Sequence, residues 1–250
     1  MTEPPDPAKA RLAREIEHHR KIADRADIIW NWDSPSGRRR AQRRAEIFVA
    51  RGGLGPGRRA LELGCGTGIF LEKVAESGAL IHGLDLSEDL LAKARTRLAG
   101  LANVTLDHGN AQQMPYEAQA FDTVYGSSVL HHLDLDAALR EVHRVLRPGG
   151  RLVFAEPNIL NPQVALMFHL GLTKEYFGVS PDEMAFSRFR ARAALVRAGF
   201  REVRVTPFDF LHPATPGAWL GAVARLGHWA ERVPVVREIA GSLIVEAGRG

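Results

Sequence analysis

The chain has 250 residues, 45% of them hydrophobic and 25% charged, with a formal net charge of +4 at pH 7. That length supports one sizeable core with at most a small appended subdomain, and the mild basic bias suits an acidic ligand or an anionic surface without requiring either. The single cysteine, Cys65, excludes an internal disulfide and multi-cysteine metal sites, so no metal is expected; with no apolar signal core at the start and no run of ~18 apolar residues, a cytoplasmic chain without a transmembrane segment is expected.

Residues 1–8 carry three prolines among polar residues and read as disordered. A sparse helical pattern follows over 8–29, with Leu12, Ile16 and Ile22 apolar. After Trp30-Asn31-Trp32-Asp33-Ser34, Pro35 and Gly37 mark a turn, and 38–49 reads as a basic helix ended by Gly52, Gly53, Gly55 and Gly57. From Arg59 the pattern alternates. Strands are expected at 60–63, 80–84, 104–106, 121–125 and 151–155. A helix at 69–76 follows the first strand. A second, capped by Ser87, carries Leu90, Leu91, Ala94 and Leu98; a third opens at Asp134 or Asp136 and stops at Pro148-Gly149-Gly150. Beyond Pro157, residues 158–184 are irregular and partly apolar. A helix at 187–198, a strand at 203–205, an amphipathic helix at 219–229 and a last strand at 242–246 complete the chain. Such alternation implies an α/β domain whose parallel sheet is covered on both faces.

Chemistry concentrates at Leu61-Glu62-Leu63-Gly64-Cys65-Gly66-Thr67-Gly68, between a strand and a helix. Glycine permits positive φ and close approach of a ligand to the backbone, and the helix start offers unpaired N–H groups. A dinucleotide fingerprint would place its third glycine at position 69, where Ile69 stands. The spacing therefore argues against NAD and for a ligand without a pyrophosphate. Asp85 closes the next strand about 20 residues further on, where a carboxylate accepts from both ribose hydroxyls or caps the following helix. Asn110, in Gly109-Asn110-Ala111, bonds an adenine amino group or is an ordinary turn asparagine.

Residues 59–158 resemble the class I S-adenosylmethionine (SAM)-dependent methyltransferases, especially the small-molecule group that includes ubiquinone-type and natural-product enzymes. The resemblance rests on the glycine loop and on Gly83-Leu84-Asp85-Leu86-Ser87, Phe121-Asp122-Thr123-Val124, Val129-Leu130-His131-His132-Leu133 and Arg144-Val145-Leu146-Arg147-Pro148-Gly149-Gly150. It implies a Rossmann-like, seven-stranded, mostly parallel sheet of order 3-2-1-4-5-7-6, the last strand antiparallel, with helices on both faces. With it goes an N-terminal helical cap over 1–50 and a methyltransferase domain over 51–250, with a lid insertion at about 159–190. SAM is the implied cofactor. Gly64, Gly66 and Gly68 then line its methionine part, Glu62 supports the loop and Asp85 holds the ribose. Cys65, Thr67, Leu86, Asn110, Ala111 and Ser127 complete the implied contacts. Asn110 stands where the family often has aspartate, and its amide oxygen still accepts an amino hydrogen bond.

Methyl transfer from a sulfonium is an in-line displacement with a donor already activated by its charge. The catalytic task is mostly to hold the acceptor atom within ~3 Å of the methyl; a base is needed only where the acceptor must lose a proton. His131 and His132 follow the fourth strand and are the candidate bases, His132 preferred; the bland alternative is packing against the cofactor or the next helix. Glu156 binds the acceptor or caps its loop. Trp30 and Trp32 close over the cofactor or pack in the core. Arg38, Arg39, Arg40, Arg43 and Arg44 read as a solvated basic face, unless one reaches the SAM carboxylate or an acidic acceptor. Met167, Phe168, His169, Tyr176, Phe177, Met184 and Phe186 suggest a hydrophobic acceptor pocket or a cover for the sheet.

The expected function is SAM-dependent methyl transfer to a small, partly hydrophobic metabolite, with a small-molecule acceptor and no nucleic acid as partner. One alternative is lipid or quinone methylation by peripheral contact with a membrane, for which the 219–229 helix, Arg225 and Arg232 speak. Another is RNA methylation, for which the arginines speak but no RNA-binding module does. A non-enzymatic SAM-binding scaffold and an NAD-dependent reductase are the remaining readings.

Overall fold

The structure is a computed structural model and describes residues 7–169 and 185–250. Helices α1 (Pro7–Ile22), α2 (Ala26–Ile29) and α3 (Pro35–Gly52) precede the sheet. Strands and helices then alternate as β1 (Arg59–Leu63), α4 (Ile69–Ala75), β2 (Leu80–Asp85), α5 (Glu88–Arg97) and β3 (Val104–His108). They continue as β4 (Phe121–Ser127), α6 (Leu135–Val145), β5 (Leu146–Pro157) and α7 (Pro162–His169). After the segment that is not described come α8 (Arg188–Arg197), β6 (Phe200–Phe208), α9 (Leu220–Ala230) and β7 (Ser242–Arg249). The sheet order is β3-β2-β1-β4-β5-β7-β6. β1 to β5 pair in parallel, and β7 lies antiparallel between β5 and β6. This is the Rossmann-like order that the resemblance implies.

Successive side chains on a strand point to opposite faces, and both faces here are covered. Val124, Leu152 and Phe154 pack with Leu139 and Val142 of α6 and Leu195 of α8. Tyr125, Val153 and Ala155 face the other way, onto Phe48 of α3 and Phe70 and Leu71 of α4. β4 is accordingly buried from Phe121 through Gly126. Helix starts follow local chemistry: Ser87 accepts from Leu90 N, Asp134 from Ala137 N and Ser187 from Arg190 N. Asp134, not Asp136, is therefore the residue that opens α6.

Several boundaries differ from the sequence reading. The turn expected at Pro35–Gly37 is the first turn of α3, with Ser34 as N-cap accepting from Gly37 N at 2.9 Å. Proline suits that first position because its missing N–H would have no partner there. Gly37 is forced by crowding, since a β-carbon would lie 1.8 Å from the Asn31 carbonyl oxygen. The division expected near residue 50 falls inside α3, whose Ala41, Ala45 and Phe48 belong to the core under the sheet. The helix expected over 8–29 is broken by a 3-10 turn at Ala23–Arg25. β5 begins at Leu146 and contains Pro148-Gly149-Gly150, where its register against β4 shifts between Phe121 and Thr123. Of the expected lid, α7 and the buried Phe168 and Phe186 are described. Tyr176, Phe177 and Met184 lie outside the described residues, as do residues 1–6 of the segment expected to be disordered.

Candidate active site

The carboxyl ends of β1, β2, β4 and β5 open on a cavity of about 530 Å³, the place where open α/β sheets hold ligands. Its floor is Gly64, Cys65, Gly66 and Thr67, with Asp85 and Leu86 beside them. Asn110, Ala111, Ser127, His131 and His132 also line it. Two residues expected at the cofactor do not. Glu62 is buried beneath the loop beside Tyr125, and burial pushes its carboxyl well above the usual range. Gly68 packs α4 against α5: a β-carbon there would lie 3.0 Å from Leu98 Cδ1 and 3.3 Å from Ala94 Cβ.

The loop is left-handed at Gly64 and Gly66, with φ of 63° and 52°. Gly64 passes so close to the turn after β4 that a β-carbon would come within 2.5 Å of Val129 Cγ2. A β-carbon on Gly66 would point at the Trp30 ring, 3.4 Å from its edge. Trp30 thus roofs the space above the loop. The N-terminal segment is anchored there by Asp27, whose carboxylate accepts from Thr67 Oγ1 at 2.6 Å and from Arg97 at 2.7 Å.

Asp85 ties loop and strand together. Its Oδ2 accepts from Gly66 N at 2.7 Å and its Oδ1 from Ser87 N at 2.8 Å. The side chain that caps α5 is that of Ser87. Each carboxylate oxygen keeps further acceptor capacity. Burial raises the Asp85 pKa above its ordinary value, although three backbone N–H groups oppose the shift. Asn110 Oδ1 accepts from Gln112 N at 2.9 Å, so the side chain shapes its turn and still presents an acceptor lone pair.

The two histidines differ. His131 is buried, and its Nδ1 lies 2.8 Å from Glu156 Oε2. Glu156 is itself 1% exposed, and its Oε1 accepts from Val129 N at 3.0 Å and Leu130 N at 2.9 Å. His132 reaches the other way, with Nδ1 3.2 Å from Glu15 Oε2, and its carbonyl accepts from Arg11 at 2.8 Å. The two rings are adjacent, with centroids 4.3 Å apart and planes inclined by 34°.

The arginine cluster is only partly a solvated face. Arg40 and Arg44 line the cavity, and both guanidiniums lie over Trp32, 5.4 and 5.3 Å from its centroid. Arg44 donates to Ser127 Oγ at 2.8 Å and Ser242 Oγ at 2.9 Å, and burial pulls its pKa down to about 10. Arg40 and Arg44 share Asp209, at 2.9 and 3.6 Å. Arg43 turns outward to a bidentate pair with Glu231, at 2.7 and 2.6 Å. Asp209, Glu15, Arg11 and Ser242 were not singled out from sequence, because each reaches the cavity from an element remote in the chain.

Residues 61–154 match the family described as a methyltransferase domain. Over 187 residues the chain is 32% identical to a demethylmenaquinone methyltransferase of Geobacillus kaustophilus, a match spanning 66% of this chain and 80% of that protein. The chain belongs to the class I SAM-dependent methyltransferases. Among solved structures, a SAM-dependent methyltransferase from Thermotoga maritima superposes with a TM-score of 0.64 at 20% identity, covering 93% of this chain and 100% of that one. The cyclase SpnF superposes at 0.68 and 21%, covering 95% and 96%. Likeness at that identity shows the fold alone, and differently named activities share it.

SAM is the cofactor of this methyltransferase, and its cavity fits the molecule. Asp85 has acceptor capacity left for a ribose and Asn110 for an amino group, and both line the cavity. Arg40 and Arg44 put two cations against the single carboxylate of Asp209. Asp85→Ala is expected to weaken SAM by roughly 1.5–3 kcal/mol, the scale of hydrogen bonds to a charged group; Asp85→Asn keeps one acceptor and costs less. Because the folded pKa of Asp85 is raised, its carboxylate protonates at a higher pH than a free aspartate (~3.9). Wild-type affinity should therefore fall on acidification before that point, and the Asn variant should lack this dependence. Titration calorimetry across pH checks both. An unchanged dissociation constant in both variants, with a lowered melting temperature, would contradict a ribose contact.

Proposed function

We propose that this methyltransferase methylates a hydroxyl on a small, partly hydrophobic acceptor, with His131 as general base and Glu156 as its positioning residue. The observation that carries the reading is the buried His131–Glu156 pair at the cavity wall, at 2.8 Å. Two backbone N–H groups and the ring nitrogen fix the carboxylate, so the imidazole is held in one orientation. With its ring held by Glu156, the imidazole is the group that takes the acceptor's proton. When bound, SAM supplies a methyl group on a sulfonium. The chain's own part is to align the acceptor oxygen and receive its proton.

Apolar side chains set the acceptor class. Met167, Phe168, Phe210 and Leu211 line the cavity, and Phe168 meets the His131 ring edge-on with centroids 5.9 Å apart. A flat, apolar-tailed phenol or hydroquinone suits such a wall, and a relative named for demethylmenaquinone supports the ring-and-tail shape, not the atom methylated. In this reading Arg11, Glu15 and Trp30 make the N-terminal segment a cap, and α7 covers the acceptor side of the cavity. Asn110, Ala111 and Leu86 border the adenine, Ser127 and Cys65 the methionine part. His132, preferred from sequence, falls to a supporting place because its carboxylate partner, Glu15, belongs to the cap rather than the sheet.

The test is a panel of alkyl hydroquinones, phenols, polar amines and RNA, with S-adenosylhomocysteine release and product mass as readouts. Turnover on apolar-tailed hydroquinones or phenols is expected. Turnover confined to polar amines or RNA would contradict the proposal.

A further inference from the structure

Helix α9 hides its small side chains and exposes its large ones. Ala224, Gly227 and Ala230 are buried, and a β-carbon on Gly227 would sit 3.1 Å from Phe210 Cβ. Trp219, Leu226 and Trp229 are 65%, 64% and 58% exposed, and Val235 beyond the helix is 82% exposed. A surface helix ordinarily does the reverse. The spacing gives the reason: 224, 227 and 230 fall on one stripe, while 222, 225, 226 and 229 fall opposite it.

Charge on this face has one sign. Arg225, His228 and Arg232 are exposed, and α9 contains no Asp or Glu. The nearby carboxylates are engaged elsewhere, Glu231 by Arg43 and by Asp209 N, Glu238 by Arg188. Indole rings with arginines beside them match an interface that is apolar on one side and anionic on the other. A second copy matches it poorly. Across a twofold contact, Arg225 and Arg232 would meet the like charges of the same face.

We propose that α9 docks this methyltransferase on an anionic lipid bilayer, with Trp219, Leu226 and Trp229 entering the headgroup region and Arg225 and Arg232 facing its phosphates. Among the described residues no helix is long and apolar enough to cross a membrane, so this contact is peripheral. The face also has a place relative to the site. α9 packs on the segment carrying Asp209, Phe210 and Leu211, whose side chains line the cavity. The inference rests on α9 and the residues flanking it, and holds for any acceptor.

Flotation with phosphatidylcholine vesicles, with and without phosphatidylglycerol, tests it. The wild-type chain should float with the anionic vesicles at low salt, less so at high salt, with a blue shift of tryptophan emission. Trp219→Ser with Trp229→Ser should abolish flotation. Arg225→Gln with Arg232→Gln should weaken it roughly thirtyfold, from ~1 kcal/mol for each basic residue near an anionic surface. Each variant should bind S-adenosylhomocysteine as the wild type does, which shows that it is folded and separates this result from the methyl-transfer reading. Absence of flotation on anionic vesicles at low salt overturns the proposal, as does equal flotation of the double Trp variant. A dimer that the same substitutions dissolve, without vesicle binding, also overturns it and assigns the face to a second copy.

Discussion

His131→Ala, assayed at saturating SAM with a hydroxyl acceptor, should lower kcat by about 10²- to 10⁴-fold, the usual contribution of a positioned base. SAM affinity should stay nearly intact if Asp85 and Asn110, and not this histidine, hold the ribose and the amino group. Glu156→Gln should keep the hydrogen bonds from Val129 N and Leu130 N but remove the charge beside the ring, and its loss should be smaller. His132→Ala is the informative control. Its partner Glu15 lies on α1, so its effect should fall on the closing of the cap and hence on KM. If His132→Ala instead carries the large loss in kcat, the base is His132. If neither histidine matters, the acceptor needs no base and catalysis is positioning alone.

Asp209→Asn should destabilise the fold by about 3–5 kcal/mol, the cost of breaking a buried ion pair by removing one partner. Arg44 is 3% exposed and Arg40 14%, so water does little to screen the charges left behind. At roughly 2–4 °C per kcal/mol for a chain of this size, the melting temperature should drop by about 6–20 °C. The pH dependence follows from the direction of the shift. Burial opposes the Asp209 charge, but Arg40 and Arg44 outweigh it and hold the carboxyl below its ordinary value. Its stabilisation is therefore present above the unfolded value of ~3.9 and lost as pH falls through the folded one. The gap between wild type and Asn variant should be constant from neutral pH down to about 5 and narrow below about 4. Calorimetric melting across that range checks it; a gap that widens on acidification would contradict the assigned pairing.

How legible these features were depends on how local their chemistry is. The glycine loop, Asp85 and the individual strands are written in short stretches, because a left-handed glycine, a cap or a buried strand is decided by a few neighbours; the order of the strands came from the family resemblance. The cap at Ser87 came through for that reason. Ser34-Pro35 carries a cap signal too, but Gly37 made it resemble a turn; its crowding against Asn31 is tertiary and has no local mark. Pro148-Gly149-Gly150 misled likewise, since glycine punctuates helices and strands alike and here sits at a register shift inside β5.

The charged part of the site was least legible. Arg40 and Arg44 sit one turn apart beside Ala41, Ala45 and Phe48, so the small and apolar residues already marked an inward face. What hid it was Asp209, more than 160 positions away, without which two inward arginines make no sense. His131 and His132 are adjacent in one short turn. Sequence alone gives no means of deciding which of them meets Glu156 of β5 and which meets Glu15 of α1.

Titration calorimetry with S-adenosylhomocysteine and with NAD tests the central claim most directly. The cavity built on Gly64, Gly66 and Asp85 should bind S-adenosylhomocysteine with roughly micromolar affinity, compete it against SAM, and bind NAD far more weakly. Binding of NAD without binding of S-adenosylhomocysteine would contradict the account.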